Sequence, residues 1–434
     1  MLTVKDGNIK SSNKKIVIGY DLSPNFAQIS FFDASMDEPE TVSPIAGSTM
    51  YNIPLVLAKR PGIGQWFYGR EALKYSENEG ILVDNLLERA QRGEEIMVED
   101  EAFDPVALLA LFIKRSLGIL NLRISPKDVV AYMFTVEELD VRTVEVLSRV
   151  VASLQLKCET VTYQSHVESF YNYMIHQSED LWQYQVMILE YGDFLTTRRF
   201  ECTKNTKPEV VFITSKDYRD MTRVRFSEDD NVKQQQFAEL DAKFDDICQD
   251  VFEGTDVTTV YLLGDGFKEQ WPKESLKTIC RNRRVFQGNN LYCKGACYAM
   301  MDKINPSEVY KSHVFLGEDK VKANVGLKAL RRGEDSYLAI LDAGSNWFEA
   351  KADFEIILDA GNEIGFVITS LTGGHVNEKT IVLDGLPERP RGTTRLAIHI
   401  EMSSVNTLEL EIEDLGFGQI IKSSGRAWTQ TLNI

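Results

Sequence analysis

The sequence predicts a mixed α/β domain built from two similar halves, followed by an antiparallel β-sandwich. Three observations support this fold class: a hairpin with an acidic turn occurs twice, strands alternate with amphipathic helices as far as residue 305, and apolar residues then recur at every second position. We therefore expect a disordered tail over residues 1–15, an α/β domain over 16–305 and a sandwich over 306–434.

The first hairpin covers residues 16–32, with the sequence IVIGYDLSPNFAQISFF. An apolar run leads through Asp21 into a Ser-Pro-Asn turn, and an alternating run leaves the turn. A carboxylate at the end of a buried strand is costly without a positive partner, so this turn suggests a corner that holds a phosphate and a metal ion. A plain hairpin with an acid at its turn is the other interpretation of these residues taken alone.

A second hairpin repeats this order of acid, turn and returning strand. The apolar run 186–189 enters the turn 190–193, EYGD, and residues 196–200 lead out again. A domain with two such halves leaves a cleft between them, where both turns can face one ligand.

The other α/β elements are predicted from hydrophobic periodicity and capping residues. Asp104 and Pro105 are typical of a helix start, and Thr135 with Glu138 indicates a capping box for the next helix. In the first half we expect strands at 53–58 and 129–134, a strand entering a helix at 66–72, and helices at 105–120, 144–154 and 167–175. In the second half we expect a strand at 258–263 and helices at 237–252, at 271–279 and after 290, the last ending near 302.

Beyond residue 306 the pattern is that of strands with one buried face. Apolar and charged residues alternate over 348–358, 396–402 and 408–413, and turn residues occur at 359–362, 373–374, 387–392 and 416–418. Phe348, Phe366 and Leu371 either line an exposed peptide groove or belong to the sandwich core.

Composition limits the class of partner. The net charge of −17 argues against nucleic acids and anionic membranes and favours a protein, a peptide or a small ligand. The N-terminal residues are polar and contain no apolar core of a signal peptide, so we expect a cytoplasmic protein. The six cysteines are scattered in apolar surroundings and fit reduced thiols, and the spacing of Cys293 and Cys297 is not that of a zinc site.

The order of these parts resembles the 70-kilodalton heat-shock chaperones (DnaK-like), whose ATPase domain has the actin and sugar-kinase fold. Within residues 16–434, the first hairpin is similar to the family's first phosphate hairpin, VYLLGDGF to its adenosine-loop strand and LYCKGACYAM to its Lys-Gly-Ala helix start. The turn formed by Gly385, Pro387, Pro390, Arg391 and Gly392 is similar to the Gly-x-Pro-x-x-Pro-Arg-Gly turn of the chaperones' peptide-binding sandwich.

The resemblance implies that the first domain binds ATP or ADP with Mg²⁺. The implied nucleotide-binding residues are Asp21, Ser23, Asn25, Gly192, Asp193, Gly264, Gly266, Lys294 and Gly295. Asp21 and Glu190 are the implied Mg²⁺ ligands and the candidate catalytic residues. The alternative is that the cleft has lost its ligand. The two acids are then only hairpin residues, and the glycines serve packing alone. Ser165, His166 and Glu168 lie too close in sequence to form a hydrolase triad, so we expect them to line the cleft or the surface.

The phosphate loops depart from the chaperone pattern. Ser23, Pro24 and Asn25 replace Gly-Thr-Thr, and only Gly192 remains of three glycines in the second loop, beside Asp193. No lysine occurs over 83–91, where the family has a catalytic one, and no helical lid is expected after the sandwich. We therefore expect a chaperone-like protein-binding or scaffolding module with a degenerate nucleotide cleft. An atypical Mg-ATP-dependent ATPase that binds extended peptides through its sandwich is the alternative.

Overall fold

A computed structural model describes residues 15–78, 80–204, 207–331, 334–370 and 376–434. The chain forms two compact units, Met1–His313 and Val314–Ile434. The division therefore lies after the boundary expected at residue 305, because one more short helix belongs to the first unit. The expected tail lies outside the described residues except for Lys15.

The first half of the first unit contains both strands and helices. Its strands are β1 (Ile16–Leu22), β2 (Phe26–Phe32), β3 (Glu40–Thr41), β4 (Ile53–Pro54), β5 (Leu57–Lys59), β6 (Trp66–Tyr68), β7 (Ile81–Val83), β8 (Ile96–Val98), β9 (Glu101–Phe103), β10 (Val129–Val136) and β11 (Thr160–Ser165). Its helices are α1 (Gly69–Ser76), α2 (Leu86–Arg92), α3 (Pro105–Leu117), α4 (Val141–Leu154), α5 (His166–Ile175) and α6 (Glu179–Trp182).

The second half has fewer strands and contains the longest helix of the described residues. Its strands are β12 (Gln185–Tyr191), β13 (Phe194–Thr203), β14 (Glu209–Thr222), β15 (Val257–Leu263) and β16 (Arg284–Gln287). Its helices are α7 (Asp230–Phe252), α8 (Glu274–Ile279), α9 (Leu291–Ile304) and α10 (Glu308–Ser312).

The two halves have the same strand order. The first sheet contains the path β11-β10-β1-β2-β3, and the second contains β16-β15-β12-β13-β14. In both sheets the first strand of the hairpin pairs parallel with one neighbour and antiparallel with its hairpin partner. The duplicated hairpins therefore occupy equivalent central positions in two mixed sheets.

Helix α9 closes the first sheet by unusually close packing. A Cβ atom at Gly19 of β1 would lie 2.1 Å from the carbonyl oxygen of Cys293, and one at Gly295 would lie 2.0 Å from that of Ser169 in α5. Glycine at these two positions lets α9 approach both β1 and α5 directly. The contact buries an apolar cluster that includes Val17, Ala296 and Met300.

Helix boundaries follow the side-chain caps. Asp104 accepts a hydrogen bond from the Val106 amide and begins α3, as its sequence predicts. The capping box expected at Thr135 is wrong, because Thr135 continues β10 and Asp140 caps α4 instead, accepting from the Thr143 amide at 2.7 Å.

The segment Pro105–Leu122, which contains α3, is long and apolar enough by composition to span a membrane, and half of it is buried within the protein.

The second unit is all-β. After β17 (His313–Phe315), which spans the division between the units, its strands are β18 (Ala323–Arg331), β19 (Glu334–Leu341), β20 (Lys351–Leu358), β21 (Glu363–Ser370), β22 (Val376–Val382), β23 (Thr394–Ser404), β24 (Thr407–Gly416) and β25 (Ala427–Asn433). They form two antiparallel four-stranded sheets, β19-β18-β21-β22 and β20-β23-β24-β25. Alternate residues of β23 and β24 are buried, which is the pattern predicted for one buried face per sheet.

Of the residues considered for a peptide groove, the two that the structure describes do not form an exposed trough. Phe366 is fully buried, and Phe348 is half-buried beside Trp347. Leu371 lies outside the described residues. Phe366 is therefore a core residue of the sheet.

Candidate ligand-binding cleft

The turns of both hairpins line one cavity of about 470 Å³ in the first unit. Asp21 and Asn25 line it from the first turn, and Glu190, Gly192 and Asp193 line it from the second. The volume lies within the range of roughly 300–1,000 Å³ that is typical of small-molecule sites. The duplicated hairpins thus bring their acidic corners to a shared space.

The carboxylate of Asp21 is buried and already has a basic partner. His166 Nε2 lies 2.7 Å from Asp21 Oδ1, and the Ser23 hydroxyl donates to the same oxygen at 3.2 Å. The fold holds the histidine there because β11 runs parallel to β10 beside β1, and α5 begins at the end of β11. Ser165 caps this helix by accepting from the Glu168 amide, which fixes His166 as its first residue.

Glu190 has a separate set of partners. Arg198 Nη1 forms an ion pair with Glu190 Oε2, and the Tyr292 hydroxyl donates to the same oxygen at 2.8 Å. Glu190 is opposite Thr196 in the β12–β13 ladder, so Arg198, two residues further along, lies diagonally on the same face. Burial acts to raise the pKa of Glu190, but Arg198, His166 and Tyr292 outweigh it and hold that pKa below its usual value.

A ring stack joins the two acidic corners. The rings of His166 and Tyr292 are nearly parallel, with centroids 4.0 Å apart. Tyr292 is held in α9, and its pKa is raised by burial and by Glu190, so its hydroxyl remains a donor at neutral pH. Two hydrogen bonds and this ring stack therefore connect Asp21 through His166 and Tyr292 to Glu190.

A second histidine, His176, directly follows α5 and has a similar environment away from the cavity lining. His176 Nε2 lies 3.0 Å from Asp302 Oδ2, and the ring stacks on Tyr298 with centroids 4.4 Å apart. The α5–α9 interface therefore contains two stacked histidine–tyrosine pairs, each with a buried aspartate. Only the pair with Asp21 borders the cavity.

Cationic side chains also line the cavity at exposed positions. They are Arg70, Arg223 and Lys268. Lys268 pairs with Asp265 at 2.7 Å, whereas neither arginine forms an ion pair with a carboxylate within the part of the chain that the structure describes. The backbone of Arg223 is fixed beside the second turn, because its amide donates to the Asp193 carbonyl at 2.8 Å. The rim thus offers two guanidinium groups for an anion.

The predicted site residues divide into two groups. Asp21, Ser23, Asn25, Glu190, Gly192, Asp193 and Gly264 line the cavity. Gly266, Lys294 and Gly295 do not line it in the described structure. A Cβ at Gly266 would lie 2.3 Å from the Tyr191 ring, and Lys294 pairs with Glu38 at 3.0 Å, so these residues serve packing and surface charge.

Several cavity-lining or network residues were not singled out from the sequence. They are Arg70, Glu137, Arg198, Arg223 and Tyr292. The position of Arg198 could have been predicted from the sequence. Side chains alternate between the two faces of a hairpin, so Arg198 and Glu190 lie on the same face. His166, expected to line the cleft or the surface, lines the cavity as a buried residue, and Ser165 acts as a helix cap.

The two hairpin acids fit a magnesium ion poorly. One oxygen of Asp21 is bonded to His166 and Ser23, and one oxygen of Glu190 to Arg198 and Tyr292. Mg²⁺ prefers near-ideal octahedral oxygen ligands and negative charge. These partners reduce the number of free oxygens, and Arg198 also reduces the local negative charge, so the two corners resemble a closed polar network more than a metal site.

The fold and the site define a mixed α/β protein with a polar cleft between two similar halves, followed in the chain by an all-β unit. The chain belongs to a family of unknown function, DUF5716, because the C-terminal model of that family matches residues 38–318. A domain of unknown function, DUF8552, matches residues 320–434. No curated protein matches the chain. The resemblance to heat-shock chaperones therefore stays a prediction from motifs.

Proposed function

We propose that the chain is a chaperone-like binding or scaffolding protein, whose first unit is an actin-type nucleotide fold that has lost efficient ATP hydrolysis. The observation that supports this most directly is the internal pairing of both hairpin acids, Asp21 with His166 and Glu190 with Arg198. The same two corners that would hold a metal and phosphates in an ATPase are occupied by protein bases.

The repeated strand order supports the actin-type part of the proposal. Two sheets with equivalent central hairpins, whose turns line one cavity, are the arrangement expected of a duplicated nucleotide fold. The sequence resemblance, which rests partly on the first of these hairpins, points to the same fold.

The loop chemistry supports the loss of hydrolysis. Phosphoryl transfer depends on positioning and on positive charge aimed at the transferred group, usually with Mg²⁺ between phosphates and protein. Pro24 offers no amide donor, Asp193 adds negative charge at the second turn, and the corner acids are already paired. A triphosphate would meet few of the groups that stabilise its transition state.

The side chains that remain available in the cavity would bind an anionic ligand without a metal ion. Arg70 and Arg223 face the cavity without carboxylate partners in the described chain, and Asn25 and Asn52 add polar contacts. We therefore expect a nucleotide or a similar anionic ligand to bind through guanidinium groups. The second unit would supply the contact with a protein or peptide client.

Thermal unfolding with ATP or ADP tests this function, in Mg²⁺ and in EDTA. A ligand at about one hundred times its Kd stabilises the folded state by about 2.7 kcal/mol. We expect similar stabilisation in both buffers, with phosphate release at the background rate. R223Q should reduce the stabilisation, whereas R225Q, a matched exposed arginine that does not line the cavity, should retain it.

Two outcomes would contradict the proposal. Phosphate release that requires Mg²⁺ and disappears in D21N would favour the alternative, an atypical Mg-ATP-dependent ATPase. Stabilisation by neither nucleotide, with the protein folded, would exclude the nucleotide part and leave the cleft as a structural remnant.

A further inference from the structure

Three side chains with metal-binding atoms lie together in the first unit, outside the lining of the cleft. They are Cys202 near the end of β13, Glu209 at the start of β14 and His313 directly after α10. Cys202 Sγ lies 3.3 Å from Glu209 Oε2, which lies 3.6 Å from His313 Nε2. All three ligand atoms lie within 4.8 Å of one another, and all three residues are half-buried.

The hairpin register explains why the first two residues meet. Cys202 is opposite Val211 in the β13–β14 ladder. Glu209 lies two residues before Val211 and therefore on the same face of the sheet, as the diagonal neighbour of Cys202. The sulfur and the carboxylate therefore point to the same side of the sheet.

His313 is oriented by contacts other than the cluster. Its Nδ1 lies 2.9 Å from the Val309 carbonyl oxygen, and its ring packs edge-on against Trp182 with centroids 5.3 Å apart. A carbonyl can only accept, so this contact calls for the proton on Nδ1, and Nε2, which faces Glu209, is the nitrogen available to a metal ion. Metal-binding histidines are typically oriented in this way, by a hydrogen bond from the nitrogen that does not bind the metal.

With no metal ion bound, the Cys202 thiol donates a hydrogen bond to Glu209 Oε2 at 3.3 Å. A divalent ion would replace this hydrogen bond, because a coordinating thiol loses its proton.

We propose that Cys202, Glu209 and His313 bind one divalent transition-metal ion, with Zn²⁺ as the expected occupant. Sulfur, imidazole nitrogen and carboxylate oxygen form a donor set that zinc accepts, and Zn–S of about 2.3 Å with Zn–N and Zn–O of about 2.0–2.2 Å sets ligand separations similar to those observed. On binding, the Cys202 thiol gives its proton to solvent and becomes a thiolate ligand. Three protein ligands leave the fourth position to water, so the ion is exchangeable and not enclosed.

Cobalt spectroscopy on the full chain tests the site. After removal of metals with a chelator, Co²⁺ should bind at one equivalent per chain and give a thiolate-to-cobalt charge-transfer band, and Zn²⁺ should displace it. C202S should abolish the band, and H313Q should weaken Zn²⁺ binding by at least roughly tenfold, judged against a chromophoric chelator. C280S and H399Q are matched controls, because Cys280 and His399 lie outside the cluster, and both should behave like the unaltered protein.

A second measurement keeps the proposal testable if C202S fails to fold. In the unaltered chain, Zn²⁺ should protect Cys202 from alkylation, as read by mass spectrometry of each cysteine peptide, while the exposed Cys280 is labelled equally with and without metal. Absence of the cobalt band, an unchanged band in C202S, or alkylation of Cys202 that Zn²⁺ does not slow would each overturn the proposal.

Discussion

Asp21 and His166 are 145 residues apart in the sequence, and Asp21 Oδ1 lies 2.7 Å from His166 Nε2. The pair is almost fully buried, with 2% and 4% of the two side chains exposed. It joins the central strand of the first sheet to the first residue of α5. A buried carboxylate that loses its partner remains in a site with little water, so this contact has consequences for stability as well as for the cleft.

Replacement of His166 should destabilise the protein and change the cleft. H166A should lower the free energy of unfolding by about 3 kcal/mol, because it leaves the Asp21 carboxylate buried without its principal partner. It should also make any nucleotide stabilisation depend on Mg²⁺, since Asp21 becomes available to a cation. Urea denaturation and thermal shift with and without EDTA measure the two effects.

H176A is the matched control for this prediction. His176 directly follows the same helix, pairs with Asp302 and stacks on a tyrosine, but it does not line the cavity. H176A should also destabilise the protein while leaving the Mg²⁺ dependence unchanged. Equal ligand behaviour of the two variants would refute a specific role of His166 in the cleft.

Removal of the Tyr292 hydroxyl should have a smaller effect. Y292F retains the stack on His166 and removes the donor to Glu190, so we expect a loss of about 1–2 kcal/mol of unfolding free energy. Because burial and Glu190 raise the pKa of Tyr292 well above its usual value, the loss should be constant from pH 6 to about pH 9. Urea denaturation across this range tests it, with Y184F as an exposed control. A loss that vanishes on raising the pH within the range would contradict the assignment of a neutral phenol.

The close approach of α5 and α9 predicts a strong effect at Gly295. In G295A the new methyl group would overlap the Ser169 carbonyl, and the helices would have to separate, at a cost of about 1–3 kcal/mol. G118A is the control, because a Cβ at Gly118 meets nothing within 4 Å and its backbone is compatible with alanine. Thermal unfolding of both variants checks this prediction, and a neutral G295A would argue against the packing role and reopen a ligand contact at Gly295.

The parts of the fold that sequence reasoning predicted rest on local signals. Each acidic hairpin is defined by two short apolar runs around a turn, and the strands of the second unit are defined by alternation, so both could be recognised without knowledge of distant contacts. The pairing of Glu190 with Arg198 was also predictable in principle, because the ladder register of one hairpin determines it.

The remaining features depend on distant parts of the chain. The Asp21–His166 pair requires β10 and β11 to lie beside β1 in parallel, which no local pattern encodes. Gly295 lies in a segment that resembles the chaperones' Lys-Gly-Ala motif, but the packing partner that explains it is Ser169, far away in sequence. At Thr135 the local capping signal competes with strand pairing to Asp21 and Gln164, and the sheet prevails.

The second unit contains a buried ion pair with a predictable pH signature. Arg389 donates two hydrogen bonds to Asp414 at 2.7 and 2.6 Å, and 5% and 0% of these side chains are exposed. Arg389, with help from Ser424 and the Gly416 amide, holds the pKa of Asp414 well below its usual value. In the unfolded chain this pKa is about 3.9, so on acidification the unfolded state takes up the proton first.

It follows that Asp414 stabilises the folded unit fully above about pH 5, and that this contribution is lost as the pH falls towards the folded-state pKa. R389M should cost about 3 kcal/mol at pH 7, because it leaves Asp414 buried and unpaired, and it should raise the folded-state pKa of Asp414. The difference between R389M and the unaltered protein should therefore shrink as the pH is lowered below about 4. Hydrogen exchange of β23 and β24 amides in urea measures this difference in stability.

R391M is the control, because it removes an exposed pair with Asp359 and should change the stability little at any pH. A cost of R389M that does not depend on pH would show that packing of the arginine stem dominates instead of its charge.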